Sequence, residues 1–355
     1  MEYKLLEGDR TGSAVFSLSV TNIEQTVRIT PSRAFKKADP KFDKSYFTEV
    51  FLPIKKRQLK GGDQYKQFDL TIEPKLKKKE LKDNVNIISF FGDKETHPSD
   101  IANFEDLGLL SNFEALFNDH IICMPFSTSL YESNYDDILS TVTTTFKDFT
   151  GTLHTNNVFG YIPAYVHYNE MEKYLNFYSK NASLNVQRNG STLNGIPLMI
   201  DMKRSNPDNY RRTLAKLLDL KLKYMADGFY PIYYAYSVGR PRLSETKVSD
   251  IAKDFLLSFL GFDIIGASHA IIPPDKPGGG LSRILKFDLR SFKYLRSIAD
   301  YAYKADKAKA EVFHKQSQYL GKFHEGWAKD RNYIKHELQT RNEASDYINF
   351  LSQRG

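Results

Sequence analysis

The sequence predicts an α/β protein, a (β/α)8 TIM-like barrel with an N-terminal β elaboration and a C-terminal helical extension, and three observations carry that expectation. The runs 158–165, 197–202, 230–236 and 262–267 are almost continuously apolar, as strands buried on both faces of a parallel sheet are. Amphipathic helical patterns separate them. The strand–helix unit repeats at about 30–40 residues, which suits a barrel whose chemistry collects on the loops after its strands.

Taken in order, residues 1–83 read as a β-rich elaboration. Ala14-Val-Phe-Ser-Leu-Ser-Val20 and Gln25-Thr-Val-Arg-Ile-Thr30 alternate polar and apolar side chains, the pattern of half-exposed antiparallel strands. Lys60-Gly-Gly-Asp63 is a turn signal and Gln67-Phe-Asp-Leu-Thr-Ile-Glu73 a further strand. The barrel core is expected over 84–304. It opens with a buried strand at 85–91, then a loop bearing Asp93, Glu95 and His97. A second strand, 120–125, leads to a helix over 135–149, whose Asp136 and Asp137 suit the positive end of the helix dipole. Met171, Leu175 and Tyr178 mark a helix over 168–178. A longer one spans 210–225, its apolar stripe formed by Leu214, Leu217, Leu218, Leu220 and Leu222, with Asp208 or Asn209 as cap after Pro207. A third crossover helix is expected over 249–260, stopped by Gly261. Residues 291–303 and 306–352 read as helical, and 305–355 forms the C-terminal extension, which holds the single tryptophan, Trp327.

The 355 residues suffice for a large core without disulfide or metal staples. Cys123 is the sole cysteine and sits in an apolar run, so it reads as a core residue, and multi-cysteine zinc sites are excluded. No metal site and no cofactor are expected, since the histidines are scattered and no Gly-Lys-Ser/Thr phosphate loop occurs. No run of 18 apolar residues is present, and the opening MEYKLLEGDR lacks the apolar core of a signal peptide, so a soluble, cytoplasmic protein without membrane contact is expected. The net charge of +7 is concentrated at Lys55-Lys-Arg57, at Lys75-Leu-Lys-Lys-Lys79 with Lys82, and at Lys203-Arg204 with Arg211-Arg212. Cations interleaved with aromatic residues can contact phosphates and stack on unpaired bases; a solvated, solubilising face is the other reading.

In a barrel, four loop regions would converge at the C-terminal mouth: Asp93, Glu95 and His97; His167 and Glu170; Asp201, Lys203 and Arg204; and Ser268 and His269. Asp201 stands out because an ionised carboxylate in an apolar strand must be paired or placed at the mouth, and Lys203 and Arg204 could pair it. His269 follows the strand 262–267 and is a candidate general acid/base. Arg240 and Arg242, in Gly239-Arg-Pro-Arg242, form a candidate phosphate or carboxylate clamp. The segment Pro277-Gly-Gly-Gly280-Leu-Ser-Arg283 either lets backbone N–H groups and Arg283 approach a phosphate or serves as a connector.

Two further segments carry a resemblance. Asp9-Arg-Thr-Gly12, followed by a β run and Thr30-Pro31, and Leu260-Gly-Phe-Asp-Ile-Ile-Gly-Ala-Ser-His-Ala270, preceded by a crossover helix, are similar to segments of the queuine and archaeosine tRNA-ribosyltransferases, the tRNA-guanine transglycosylases. Gly160-Tyr-Ile-Pro-Ala164 fits the same layout. The resemblance implies a (β/α)8 enzyme fold, tRNA or DNA as partner, and base exchange on a carboxylate nucleophile. Asp263 matches the first aspartate of the family's late strand, whereas Gly266 or its neighbours stand where the nucleophile is expected. No counterpart of the family's base-recognition segment follows Phe90-Phe-Gly-Asp93, and its zinc cysteines are absent. The resemblance therefore implies a divergent glycosyltransferase of the base-exchange type, with another carboxylate such as Asp201 as nucleophile, or a non-catalytic paralogue. The alternatives are a small-molecule barrel enzyme acting on a phosphorylated or carboxylated substrate, with Asp201 and His269 as acid/base and Arg240 or Arg242 as clamp, and a scaffold whose C-terminal helices mediate homo- or hetero-oligomers.

Overall fold

The computed structural model describes residues 2–6, 15–20, 23–25, 27–28, 30–31, 48–59, 86–102, 121–153, 158–182, 184–188, 191–202, 207–236, 249–266, 282–299, 311–312, 315–316, 318–320 and 333–352. They form a mixed α/β fold around a curled parallel sheet. Three N-terminal strands, β1 (Glu2–Leu6), β2 (Val15–Val20) and β3 (Ile23–Gln25), make a separate antiparallel sheet. The main sheet is built from β4 (Val27–Arg28), β5 (Thr30–Pro31), β6 (Thr48–Ile54), β7 (Asn86–Gly92), β8 (Ile121–Ser127), β9 (Val158–Pro163), β10 (Leu184–Arg188), β11 (Ser191–Asp201), β12 (Phe229–Tyr236) and a short strand at Ile264–Ile265. That last strand is β14, since β13 (Ser249–Ile251) precedes it.

The order across the sheet is β4-β14-β12-β11-β9-β8-β7-β6-β5, and β10 folds back antiparallel on β11. All the other neighbours are parallel. The two ends of this order come from one short stretch of chain, 27–31, so the sheet is strongly curled, with the form of a half-barrel. Segment 1–83 thus supplies three strands of the parallel sheet, β4, β5 and β6, while β2, at the run expected over 14–20, pairs antiparallel as its alternation suggests. The expected strand at 67–73 lies outside the described residues.

The helices cover the convex face. α1 (Pro98–Ala102) follows β7, α2 (Tyr135–Leu153) follows β8, α3 (Met171–Asn181) follows β9 and α4 (Pro207–Ala226) follows β11. Each of the three longer ones turns an apolar stripe inward: Ile138, Val142, Phe146 and Phe149 on α2, Met171, Tyr174, Leu175 and Tyr178 on α3, and Leu214, Leu217, Leu218 and Tyr224 on α4 are all buried. Gly228, with φ of 82°, turns the chain from α4 into β12, and its N–H bonds the Met225 carbonyl. Asn209 does not cap α4 as expected; its side-chain amide donates to the carbonyls of Ala164 and Val166 at 3.2 and 2.8 Å, pinning the helix start to the end of β9.

One close approach fixes the helix layer to the sheet. The Tyr178 hydroxyl accepts the Tyr161 N–H at 2.9 Å and donates to the Tyr161 carbonyl at 3.0 Å, its ring lying over Gly160. A Cβ at Gly160 would stand 2.2 Å from that ring. Because the hydroxyl is anchored, the ring cannot swing clear, and Gly160→Ala is expected to cost about 3 kcal/mol in a chemical-denaturation experiment. A loss below about 0.5 kcal/mol would show that the contact relaxes freely.

Two expected helices are not helices. Over 249–260 the chain forms β13, one turn of helix, α5 (Lys253–Leu256), and a 3-10 turn (Leu257–Phe259). Residues 254–266 are buried without a break, so this stretch has no polar face for a surface crossover helix. Over 291–303 the chain forms β16 (Lys293–Ala299), the centre of a three-stranded antiparallel sheet with β13 and β15 (Ser282–Asp288). The β15–β16 turn holds Phe292 at φ 53°, a strained value for a non-glycine residue that is offset by packing against Phe255, Phe259, Phe287 and Tyr319. In the C-terminal extension, α6 (Tyr333–Gln339) and α7 (Asn342–Ser352) are helical as expected. Arg341 between them lies 4.2 Å over the Phe292 ring, and Gln316 donates to the Tyr294 hydroxyl at 2.9 Å, so the extension docks on its own chain. Among the described residues no helix is long and apolar enough to cross a membrane.

Candidate functional site

Parallel strands bring all their C-terminal ends to one edge of the sheet, and Asp201 is the last residue of β11. Its side chain is fully buried, and its Oδ2 accepts hydrogen bonds from the hydroxyls of Tyr161 at 2.8 Å and Tyr131 at 2.9 Å. Two O–H donors on one carboxylate oxygen offset part of the cost of burying the charge. Burial, and then the charge of Asp201, pushes the Tyr161 phenol well above its usual range, so it remains a donor at any physiological pH.

Strand parity explains why these groups meet. Gly160 faces the helices, through Tyr178, so Tyr161 faces the concave interior. Met199 and Tyr234 share that face by register, and two residues on so do Asp201 and Tyr236. The backbone holds them in place: the Ala164 N–H bonds the Asp201 carbonyl and the Met202 N–H bonds the Tyr236 carbonyl. Tyr131 arrives from the 3-10 turn Thr128–Glu132, capped by Ser127 at the end of β8, and its ring meets Tyr165 edge-on at 5.1 Å.

A bulge completes the wall. Between Ser89 and Phe91 of β7, strand β8 runs from Cys123 to Phe126, one residue more than its neighbour. Met124 faces the helices, where its sulfur lies 3.4 Å from the Tyr178 hydroxyl, whereas Phe126 faces the interior and stacks on Tyr161 with centroids 5.1 Å apart and rings 12° from parallel. Phe126 also meets Tyr236 edge-on at 4.9 Å and Phe91 at 5.2 Å, and Phe91 in turn meets Phe51 at 5.4 Å. A continuous aromatic wall therefore leads from β6 to the carboxylate.

Asp263 does not join Asp201. It lies on the helix side, where its Oδ2 accepts from Lys221 Nζ of α4 and from the Tyr233 N–H, both at 2.7 Å, and Lys221 also donates to the Gly261 carbonyl at 2.8 Å. Both side chains of this ion pair are fully buried. Desolvation pulls the Lys221 ammonium down to about 8, with Asp263 opposing the shift.

The remaining sequence candidates are dispersed. Asp93 accepts from the Glu95 N–H and the Thr96 hydroxyl within its own turn, and His97 bonds Ser99 at the start of α1. His167 Nδ1 accepts from the Asn169 N–H, capping a 3-10 turn. Glu170 pairs with Lys173 at 2.7 Å, which holds its carboxyl below the usual range. Cys123 is buried as a core residue. Arg283 stands on strand β15 rather than in a loop, while Lys203, Arg204, Arg240, Arg242, Ser268 and His269 lie outside the described residues. Lys203 and Arg204 follow Asp201 by two and three positions in the chain. No group of three or more His, Cys, Asp or Glu side chains able to hold a metal occurs among the described residues. Neither models of known protein families nor curated proteins match the chain.

Proposed function

We propose that the chain is a closed (β/α)8 barrel of nucleic-acid metabolism, a divergent relative of the guanine transglycosylases that takes an unpaired base of tRNA or DNA into its C-terminal mouth. Closure is supported by the pairing of Val27–Arg28 with Ile264–Ile265 on one side and of Thr30–Pro31 with Thr48–Glu49 on the other. One strand over 27–31 would then join both ends of the sheet and leave eight parallel strands around the axis. The observation that carries the functional reading is Asp201, a buried carboxylate at a strand end beneath aromatic rings. Rings can stack on a planar base, and a carboxylate can accept its N–H groups or attack the sugar carbon that bears it.

In the exchange reaction an Asp201 carboxylate oxygen forms a bond to the ribose carbon as the glycosidic bond breaks, and the departing base takes up a proton. An incoming base then breaks the ester, gives up its own proton and releases the carboxylate. Tyr161 and Tyr131 position the nucleophile and stabilise it as it is regenerated. A paralogue that binds without exchanging would use the same pocket, and incorporation of labelled guanine separates the two.

The first test is a titration of the protein against bulk tRNA and duplex DNA at low and high salt, with heparin as competitor. Binding to one nucleic acid that outlasts heparin is the expected result. Binding no tighter than to heparin, together with stabilisation by a small phosphorylated or carboxylated compound, would overturn it in favour of acid/base chemistry on a small molecule.

A further inference from the structure

Resting on that reading, we infer that an unpaired nucleic-acid strand reaches the mouth across β6 and β7, with its phosphates on Lys55, Lys56 and Arg57 and its bases on the Phe51–Phe91 pair. β6 ends at Ile54 on the same edge of the sheet as Asp201, and the next three residues are these cations, all exposed. The 3-10 turn Lys56–Gln58, closed by the Leu59 N–H on the Lys56 carbonyl, holds them at the rim instead of letting them trail away.

Directly inside this rim lie Phe51 and Phe91, both only partly buried although the strands around them are apolar. From them the rings run in contact through Phe126 to Tyr161 and so to Asp201. Cations outside and stacked rings inside fit a polyanion that carries planar groups, and an acidic peptide or a bare phosphate has no use for the rings. A duplex keeps its base faces stacked on one another, out of reach of a concave wall, so an unpaired strand is the form that fits.

The test uses the full chain with Lys55→Gln, Lys56→Gln and Arg57→Gln combined, exposed positions at which folding should survive. Fluorescence anisotropy with a labelled single-stranded oligonucleotide and a duplex of equal length is read across a salt series. The unaltered protein is expected to prefer the single strand. The triple variant should lower the slope of log affinity against log salt by about 2, since each phosphate that is no longer neutralised removes about 0.7 from the slope for a single strand. A Phe91→Leu variant should weaken single-strand binding about tenfold and leave that slope unchanged, as the unstacking of one base does. An unchanged slope and affinity in the triple variant, or a preference for duplex, would overturn this entry path while leaving the base-binding reading intact. Absence of any binding by the unaltered protein would overturn both.

Discussion

Lys221→Met is expected to destabilise the fold by about 3–5 kcal/mol, the largest single-substitution effect anticipated in this protein. The reason is not the loss of an attraction but the charge left behind. Asp263 has no solvent exposure, and of the two donors described on its Oδ2 only the Tyr233 N–H would remain once the ammonium is gone. The Gly261 carbonyl would lose its lysine donor as well. Combining Lys221→Met with Asp263→Asn removes both charges and retains an acceptor for the Tyr233 N–H, so the double variant should recover more than half of the loss. Urea denaturation of the three proteins checks this. A double variant as unstable as the single would mean that the cost arises from packing around α4 and not from the stranded charge.

Asp201→Asn is expected to reduce base exchange by about 10³-fold or more, because an amide oxygen cannot form the covalent ester that the proposed reaction requires. The amide keeps an oxygen that can accept from Tyr161 and Tyr131, so thermal stability should change little and affinity for the single strand should stay within about threefold. Incorporation of labelled guanine and anisotropy on the same preparation measure the two quantities. Exchange that survives the substitution would remove Asp201 from the nucleophile's role. Equal loss of binding and exchange would assign it to base recognition instead.

Much of the α/β framework is legible in the sequence, and the reason is burial on both faces. β7, β8, β9 and β12 read as continuous apolar runs, and α2, α3 and α4 as stripes of period 3.6, so the two periodicities cannot be confused there. β6 escapes notice because its seven residues, Thr-Glu-Val-Phe-Leu-Pro-Ile, include a proline and abut three cations. The β10–β11 hairpin has a signal in Asn189-Gly190, the dipeptide favoured in two-residue hairpin loops, but the apolar run that follows draws attention away from it. The expected helices at 249–260 and 291–303 fail differently: Ser249–Ile251 and Lys293–Ala299 pair in a second sheet on which Phe255 packs, and sequence patterns do not announce that sheet.

The site is half legible for a related reason. Asp201 and Asp263 look alike in the sequence, each a carboxylate beside apolar residues, yet one residue of phase separates a group facing the mouth from a group facing a helix. The aromatic partners are less visible still. Tyr161 and Tyr236 flank Asp201 only because three strands far apart in the chain align in register, and register is a property of pairs of strands.

The extra residue in β8 gives that strand two independent allegiances. Up to Met124 its outward side chains answer to the helix layer, and from Phe126 the parity is inverted, so the last turn of the pleat answers to whatever occupies the mouth. Substitutions at Phe126 can therefore reshape the wall without disturbing the phase of the core below it. Loss of one residue near Pro125 would leave Phe126 two positions after Cys123, the spacing of a regular strand, so its ring would still lie opposite Phe91 on the interior face and only the bulge would vanish. In evolutionary terms, the central ring of this mouth is tied to its partner across the ladder, and the length of the step before it is free to shrink by one residue.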